Sequence, residues 1–339
     1  MRNIPWNKLE GKTVLITGAY GMLASYMLFM LVYLNESKGM DIKIIVLAKS
    51  KEKLEKRIGK LEKYKYMSFY ASNLESEVCI NEDIDYIIHA ASLASPNYYG
   101  KCPVQVLLPN TIGTYLMLQL AADKQAEGFL FFSTGDIYGV VNGKDMIMEE
   151  DYGYLDPLDI HNCYSESKRM AETMCKAWNY QYNVQTKIVR IWHTYSPTMD
   201  INNDPRVFSS FVNNIVHKND ITIHSNGKSK RSFCYIADAV AAFFIVLFQG
   251  ESVEPYNVCN SKEFYSISEL ASHLVNLYPE WGLNVKYVKR NQDEPYVENS
   301  VANSVPPDNG KLIQLGWYPQ YDIDTGFKRV VRYFMEMKV

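Results

Sequence analysis

Residues 17–24, Thr-Gly-Ala-Tyr-Gly-Met-Leu-Ala, constrain this chain more than any other stretch. They follow the apolar run Val14-Leu15-Ile16 and open a largely apolar run from Met22 to Leu34. That order predicts a strand, a glycine turn and a helix. Gly18 permits a tight turn with unrestricted φ, and Gly21 lets the backbone approach phosphate oxygens. The helix that starts there points unpaired N–H groups and the positive end of its dipole at an anion. The third small position is Ala24, which still allows helix to pack on strand. A tight turn without a ligand has the same spacing. The strand before and the helix after supply the context that a dinucleotide pyrophosphate requires.

The first half of the chain repeats this rhythm. β-rich runs fall at 13–17, 42–48, 66–72, 85–91, 128–134 and 186–194, with helical runs at 22–34, 51–63, 104–123 and 163–181. Several strands are near-continuously apolar, as when both faces of a parallel sheet are covered. The pattern predicts an α/β fold with a doubly wound parallel sheet. After Arg190 the rhythm breaks into prolines, polar turns and shorter elements, with helices expected at 207–217, 237–248, 267–278 and 325–335. Residues 1–190 with 232–260 are expected to form the dinucleotide-binding unit. Residues 191–231 with 261–339 are expected to form a smaller interleaved α+β cap.

Composition narrows the partners. A net charge of −3 over 339 residues gives no electrostatic case for nucleic acid or an anionic membrane. The apolar run 22–34 is too short to span a bilayer core of about 30 Å. Cys79, Cys102, Cys163, Cys175, Cys234 and Cys259 are scattered without metal-ligand spacing, so no metal and reduced, cytoplasmic thiols are expected. The start, Met1 to Trp6, lacks the apolar core of a signal peptide.

Two segments carry chemistry. The strand at 128–134 gives way to Ser133-Thr134-Gly135-Asp136 at its carboxyl end, which faces the ligand crevice in open α/β sheets. Tyr164 and Lys168 lie one turn apart on one face of the next helix. A phenol with pKa about 10 is a poor base at neutral pH. A nearby ammonium and a cationic nicotinamide would favour its phenolate.

With the glycine turn, His89-Ala90-Ala91, Ser133-Thr134 ahead of Tyr138-Gly139, and the Tyr164/Lys168 pair, the chain resembles the extended short-chain dehydrogenase/reductase family of nucleotide-sugar epimerases, dehydratases and decarboxylases. Ala94-Ser95-Pro96-Asn97-Tyr98, Asn110-Thr111-Ile112-Gly113-Thr114 and Arg231-Ser232-Phe233-Cys234-Tyr235 are similar to the UDP-glucuronate decarboxylases within it. The resemblance implies a Rossmann fold holding NAD through Gly18, Tyr20, Gly21, Met22, Leu23, Lys49, Ala90, Ala91, Asn110 and Lys168. It implies a nucleotide-diphosphate sugar held by Ser95, Thr134, Tyr164, His193, Arg206 and Arg231, with guanidinium forks on the diphosphate. Tyr164 would remove the 4-hydroxyl proton, Thr134 would hydrogen-bond that hydroxyl, and Lys168 would hold the nicotinamide ribose. Asp136 would be a second acid/base for chemistry at C5. A homodimer through 104–123 and 163–181 is also implied.

Departures from the family pattern shape the reading. Gly135 stands where the dehydratases carry an acid. Ser196-Pro197-Thr198 replaces Gly-Pro-Arg, and Asn303-Ser-Val-Pro-Pro-Asp308 has none of the decarboxylases' arginines. Lys49-Ser50 occupies the place of the ribose-binding acid, so NADP stays open beside NAD. Decarboxylase- or dehydratase-like chemistry through a transient 4-keto sugar is the leading expectation. A 4-epimerase or 4-ketoreductase, and a non-catalytic NAD(P)-binding sensor, are the alternatives.

Overall fold

The computed structural model describes residues 4–204, 206–288 and 305–337. Asn303 and Ser304 of the arginine-free segment therefore lie outside the described residues. The chain begins with β1 (Thr13–Thr17), α1 (Met22–Lys38), β2 (Lys43–Ala48), α2 (Lys51–Ile58), β3 (Met67–Ala71) and β4 (Tyr86–His89). Then follow α3 (Pro103–Asn110), α4 (Ile112–Asp123), β5 (Gly128–Thr134), α5 (Cys163–Tyr182), β6 (Thr186–Ile191) and β7 (His193–Tyr195). The remainder comprises α6 (Val207–Val216), β8 (Ile221–Ile223), β9 (Lys230–Tyr235), α7 (Ile236–Gln249), β10 (Pro255–Val258), β11 (Phe264–Ser266), α8 (Ile267–Asn276), β12 (Val285–Tyr287), α9 (Gly310–Gln314) and α10 (Ile323–Glu336).

Seven strands form one sheet in the order β10-β6-β5-β4-β1-β2-β3, all parallel. Alternate side chains serve its two faces. Val14, Ile16, Val46, Ile88, Leu130 and Phe132 join the core that includes α1 and α7. Leu15, Ile45, Leu47, Ile87, Phe129 and Phe131 join the core that includes α4 and α5. Continuous apolar strand sequences follow from this double burial. The expected doubly wound parallel sheet is present.

Beyond it, β7, β9 and β11 make a three-stranded sheet, and β8 pairs with β12. The run 186–194 is thus two strands in two sheets, parting at Trp192. Its backbone N–H bonds Val258 O at 3.2 Å while β7 departs to pair with β9. The expected helix 104–123 is likewise two helices. Pro109 lies inside α3, Asn110 Nδ2 bonds back to Val106 O (3.0 Å), and Thr111 Oγ1 to Leu107 O (2.9 Å). A missing N–H and competing side-chain bonds end the helix there. Gly59, at φ 86°, ends α2 well short of residue 63.

Candidate active site

The turn after β1 is built for close approach. Gly18 has φ 66°, and a Cβ there would come within 2.8 Å of Ala91 Cα, so the turn meets the segment after β4 only because it lacks a side chain. Gly21 caps α1 with extended backbone, no side chain caps the helix, and its first turn carries no acid. The N–H groups of a 17-residue helix are therefore free to face an anion. Thr17 Oγ1 accepts from Ala90 N and Ala91 N, each at 3.1 Å, and meets His89 Nδ1 at 3.0 Å. His89 Nε2 meets Thr114 Oγ1 at 3.1 Å, and burial lowers its pKa to about 3, so the ring is neutral. Tyr20, Met22 and Leu23 are half-buried around this turn. These features fit a dinucleotide.

At the end of β2, Lys49 is exposed. The Ser50 hydroxyl caps α2, accepting from Lys53 N (3.1 Å) and donating to Glu52 Oε2 (2.7 Å). A carboxylate thus stands beside the place where a 2′-phosphate would need positive charge, and Ser50 is already engaged.

At the carboxyl end of β5, Thr134 caps the short turn Gly135–Tyr138, its Oγ1 accepting from Asp136 N at 3.2 Å. Asp136 is exposed to solvent at this turn. Desolvation by the surrounding protein still raises its carboxyl pKa, with Arg231 and Thr134 acting the other way. Tyr164 is buried at 6% exposure. Burial and then the Asp136 charge push its phenol up, while Thr134 and Arg206 pull it down. Thr134 therefore lies beside both groups. Lys168 is buried and donates to Phe132 O at 2.6 Å, with its nitrogen 4.7 Å from the Phe131 ring centre and 5.9 Å from that of Tyr164. Burial lowers its amine to about 7. The amine is thus bonded to β5 main chain and stands near the Tyr164 ring.

Of the residues expected on the sugar nucleotide, His193 feels both Arg206 and Arg231. The charges of Arg206 and Arg231, together with burial, hold His193 well below the usual imidazole range, burial being the larger cause. His193 Nδ1 is buried with no hydrogen-bond partner among the described residues. Arg206 forks onto Asp204, its Nε at 3.0 and 2.9 Å from the two carboxylate oxygens. Arg231 bonds Ser229 Oγ at 2.6 Å. Ser95 lies in the loop after β4, at the start of the short turn Pro96–Tyr98. Asn110, expected on the cofactor, bonds its Nδ2 to Ser167 Oγ at 3.0 Å, joining α3 to α5.

Three features went unread in the sequence. Tyr99 stacks on Tyr164, Trp192 lies against Gly135, and Glu172 pairs with buried Arg190. The aromatic pair Tyr98-Tyr99 in a loop at the carboxyl end of a strand is the one signal for the first. Among the described residues no cluster of metal-ligating side chains forms, and no helix is long and apolar enough to cross a membrane.

A glycine turn at a helix N-terminus, set beside a buried Tyr-Lys pair at the end of a parallel sheet, defines a dinucleotide-dependent enzyme. Residues 14–259 match the NAD dependent epimerase/dehydratase family, and the chain belongs to it. It is 30% identical over 328 residues to UDP-glucuronic acid decarboxylase 1 of Xenopus tropicalis, covering 96% of this chain and 72% of that one. It is 30% identical over 318 residues to UDP-glucuronic acid decarboxylase 3 of Arabidopsis thaliana, covering 92% and 86%. Among solved structures, a UDP-glucose 4-epimerase from Thermotoga maritima superposes with TM-score 0.79 at 19% identity, covering 96% of this chain and all of that one. That likeness is one of fold. NAD is the cofactor of this enzyme family.

Proposed function

We propose that the protein modifies a nucleotide-diphosphate sugar through a transient 4-keto intermediate, with decarboxylase- or dehydratase-like chemistry at C5–C6. The observation that carries this reading is the grouping of Thr134 and Asp136 at the end of β5 near enough to Tyr164 for each to act on its ionisation. Its relatives named as UDP-glucuronic acid decarboxylases support the substrate class.

The turn 18–23, with Ala90, Ala91 and Lys168, would hold NAD. The chemistry the bound cofactor supplies is reversible acceptance of hydride from C4. Tyr164 takes the proton of the 4-hydroxyl, and Thr134 orients that hydroxyl by hydrogen bonding. The resulting carbonyl is an electron sink next to C5. With a C6 carboxylate, the C5–C6 bond breaks, its electron pair passes to the C4 oxygen as an enolate, and CO₂ leaves. Asp136, its carboxyl pKa raised by desolvation in the site, returns a proton to C5. A simple 4-epimerisation leaves Asp136 without a task.

We read residues 1–190 with 232–260 as the cofactor-binding unit and 191–231 with 261–339 as the sugar-binding cap, where Arg206, Arg231 and His193 would meet the diphosphate. We also read the protein as a cytoplasmic homodimer. Ile112 and Tyr115 on α4 and Met170 and Tyr180 on α5 are exposed apolar side chains on packed helices, and all six cysteines are free.

The test is turnover of UDP-, dTDP-, CDP- and GDP-sugars in D₂O, followed by mass spectrometry. Deuterium at C5 of the product is expected, and Tyr164→Phe should lose at least about a hundredfold in rate. Full turnover by Tyr164→Phe, or product free of deuterium at C5, overturns the reading.

A further inference from the structure

We propose that Tyr99 is a positioning residue: its ring is the platform that holds Tyr164 in register with the Thr134 hydroxyl. The proposal rests on Tyr164 being the base, as argued above. The two rings are stacked with centroids 5.1 Å apart and planes 11° from parallel. This is the offset arrangement that aromatic pairs favour beyond simple burial.

Tyr99 can act as a platform because it is fixed at both ends. Its hydroxyl donates to Ala94 O at 3.1 Å, across the loop that follows β4. Its own carbonyl accepts from Cys163 Sγ at 4.0 Å, the residue immediately before Tyr164 on α5. The short turn Pro96–Tyr98 precedes it, and Tyr99 N closes that turn on Pro96 O at 3.2 Å. Leu93 and Leu107 pack with Tyr99 against Val106, Cys163 and Tyr164 in one small apolar cluster, separate from the two main cores.

The base gains from this support because, among the described residues, Tyr99 supplies the one aromatic face stacked on its ring, beside the aliphatic contacts of the cluster. Thr134 lies toward the phenol and acts on its ionisation, and Lys168 is bonded to Phe132 O, with its nitrogen 5.9 Å from the ring centre. A phenol that rotates by a fraction of an ångström at its oxygen loses alignment with the proton it removes, and rate falls steeply with such displacement. The loop carrying Ser95 is the same loop that carries Tyr99. Seating of the sugar and setting of the base therefore pass through one segment.

The experiment compares Tyr99→Leu, Tyr99→Phe and Tyr164→Phe in the full chain, reading kcat, KM, NAD affinity and Tm. Tyr99→Leu removes the stack and should lower kcat on the order of tenfold, with KM and NAD affinity within about twofold of wild type. Tyr99→Phe keeps the stack and loses only the bond to Ala94, so it should recover most of that loss. If Tyr164→Phe is inactive while Tyr99→Leu keeps wild-type kcat, the platform is wrong and the base stands. A Tyr99→Leu defect confined to KM, or one that Tyr99→Phe shares in full, overturns the proposal too. Should Tyr164→Phe itself turn over normally, it is the functional reading that fails, and the platform falls with it.

Discussion

The Trp192 indole occupies the space that a side chain at residue 135 would fill. A Cβ built on Gly135 would lie 2.8 Å from both Cδ2 and Cε2 of the indole. Trp192 is itself held by its Nε1 bond to Asn257 Oδ1 at 3.1 Å and by stacking near Tyr138. The place after Thr134 is therefore closed to any acid, and Asp136 is the carboxyl that Thr134 presents. Gly135→Ala should destabilise the protein by about 1–3 kcal/mol through overpacking. Adding Trp192→Leu should recover part of that loss. Urea denaturation of the single and double variants checks it, and additive losses would show that the two residues do not compete for one space.

Acid sensitivity follows from His89. The buried ring has its pKa lowered to about 3 from an ordinary value near 6.5. Between those limits the unfolded chain binds a proton that the folded chain refuses. Stability is thus unaffected by this group above pH 6.5 and falls as pH drops from 6.5 toward 3. At pH 5 the contribution lost is about 2 kcal/mol. A His89→Gln variant should show a shallower slope of unfolding free energy against pH over this window. Equal slopes in the two proteins would rule the histidine out as the cause.

Asp136 contributes to the ionisation of Tyr164, the proposed base. Its charge is the second cause, after burial, of the raised Tyr164 phenol. Asp136→Asn removes that charge, so the limb of the kcat/KM profile that reports Tyr164 ionisation should move to lower pH. Chemistry at C5 should fall by at least about a hundredfold, because the proposed proton donor is gone. Oxidation at C4, followed as NADH absorbance in a single turnover, should persist. A limb that stays in place would mean that the two groups do not feel each other.

How much of this was legible in the sequence depends on the range of the interaction. The glycine turn, the parallel strands and the Tyr164/Lys168 spacing are local patterns with a period, and each appears in the structure. The break at Thr111 is marked by Pro109, but apolar residues run on through both halves and mask it. Lys168 bonds a main-chain carbonyl, an acceptor that no side-chain pattern reveals. Tyr99 meets Tyr164, and Gly135 meets Trp192, across 65 and 57 positions of chain. Complementary size and ring stacking at that distance leave no periodic trace.

Beneath the site, Glu172 and Arg190 hold β5, β6 and α5 together. Arg190 has no exposed side-chain surface, and it forks onto Glu172 with Nε–Oε1 at 3.0 Å and Nη2–Oε2 at 2.7 Å. It also donates to Glu149 O, Tyr138 and Tyr152, while Ser133, next to Thr134, donates to the same Glu172 carboxylate. Glu172→Gln leaves a buried guanidinium without its counter-charge and should cost about 3–5 kcal/mol. Replacing both partners, Glu172→Leu with Arg190→Met, removes the stranded charge and should recover much of that stability. The pair also acts on Lys168, the residue proposed to hold NAD. Glu172 acts against the burial that lowers the Lys168 amine to about 7, so in Glu172→Gln the ammonium should deprotonate at lower pH. The fall of NAD affinity on raising pH would then begin earlier than in wild type. Titrating NAD binding from pH 6 to 9 in both proteins, at a temperature where each is folded, checks this, and coincident curves would separate the ion pair from Lys168.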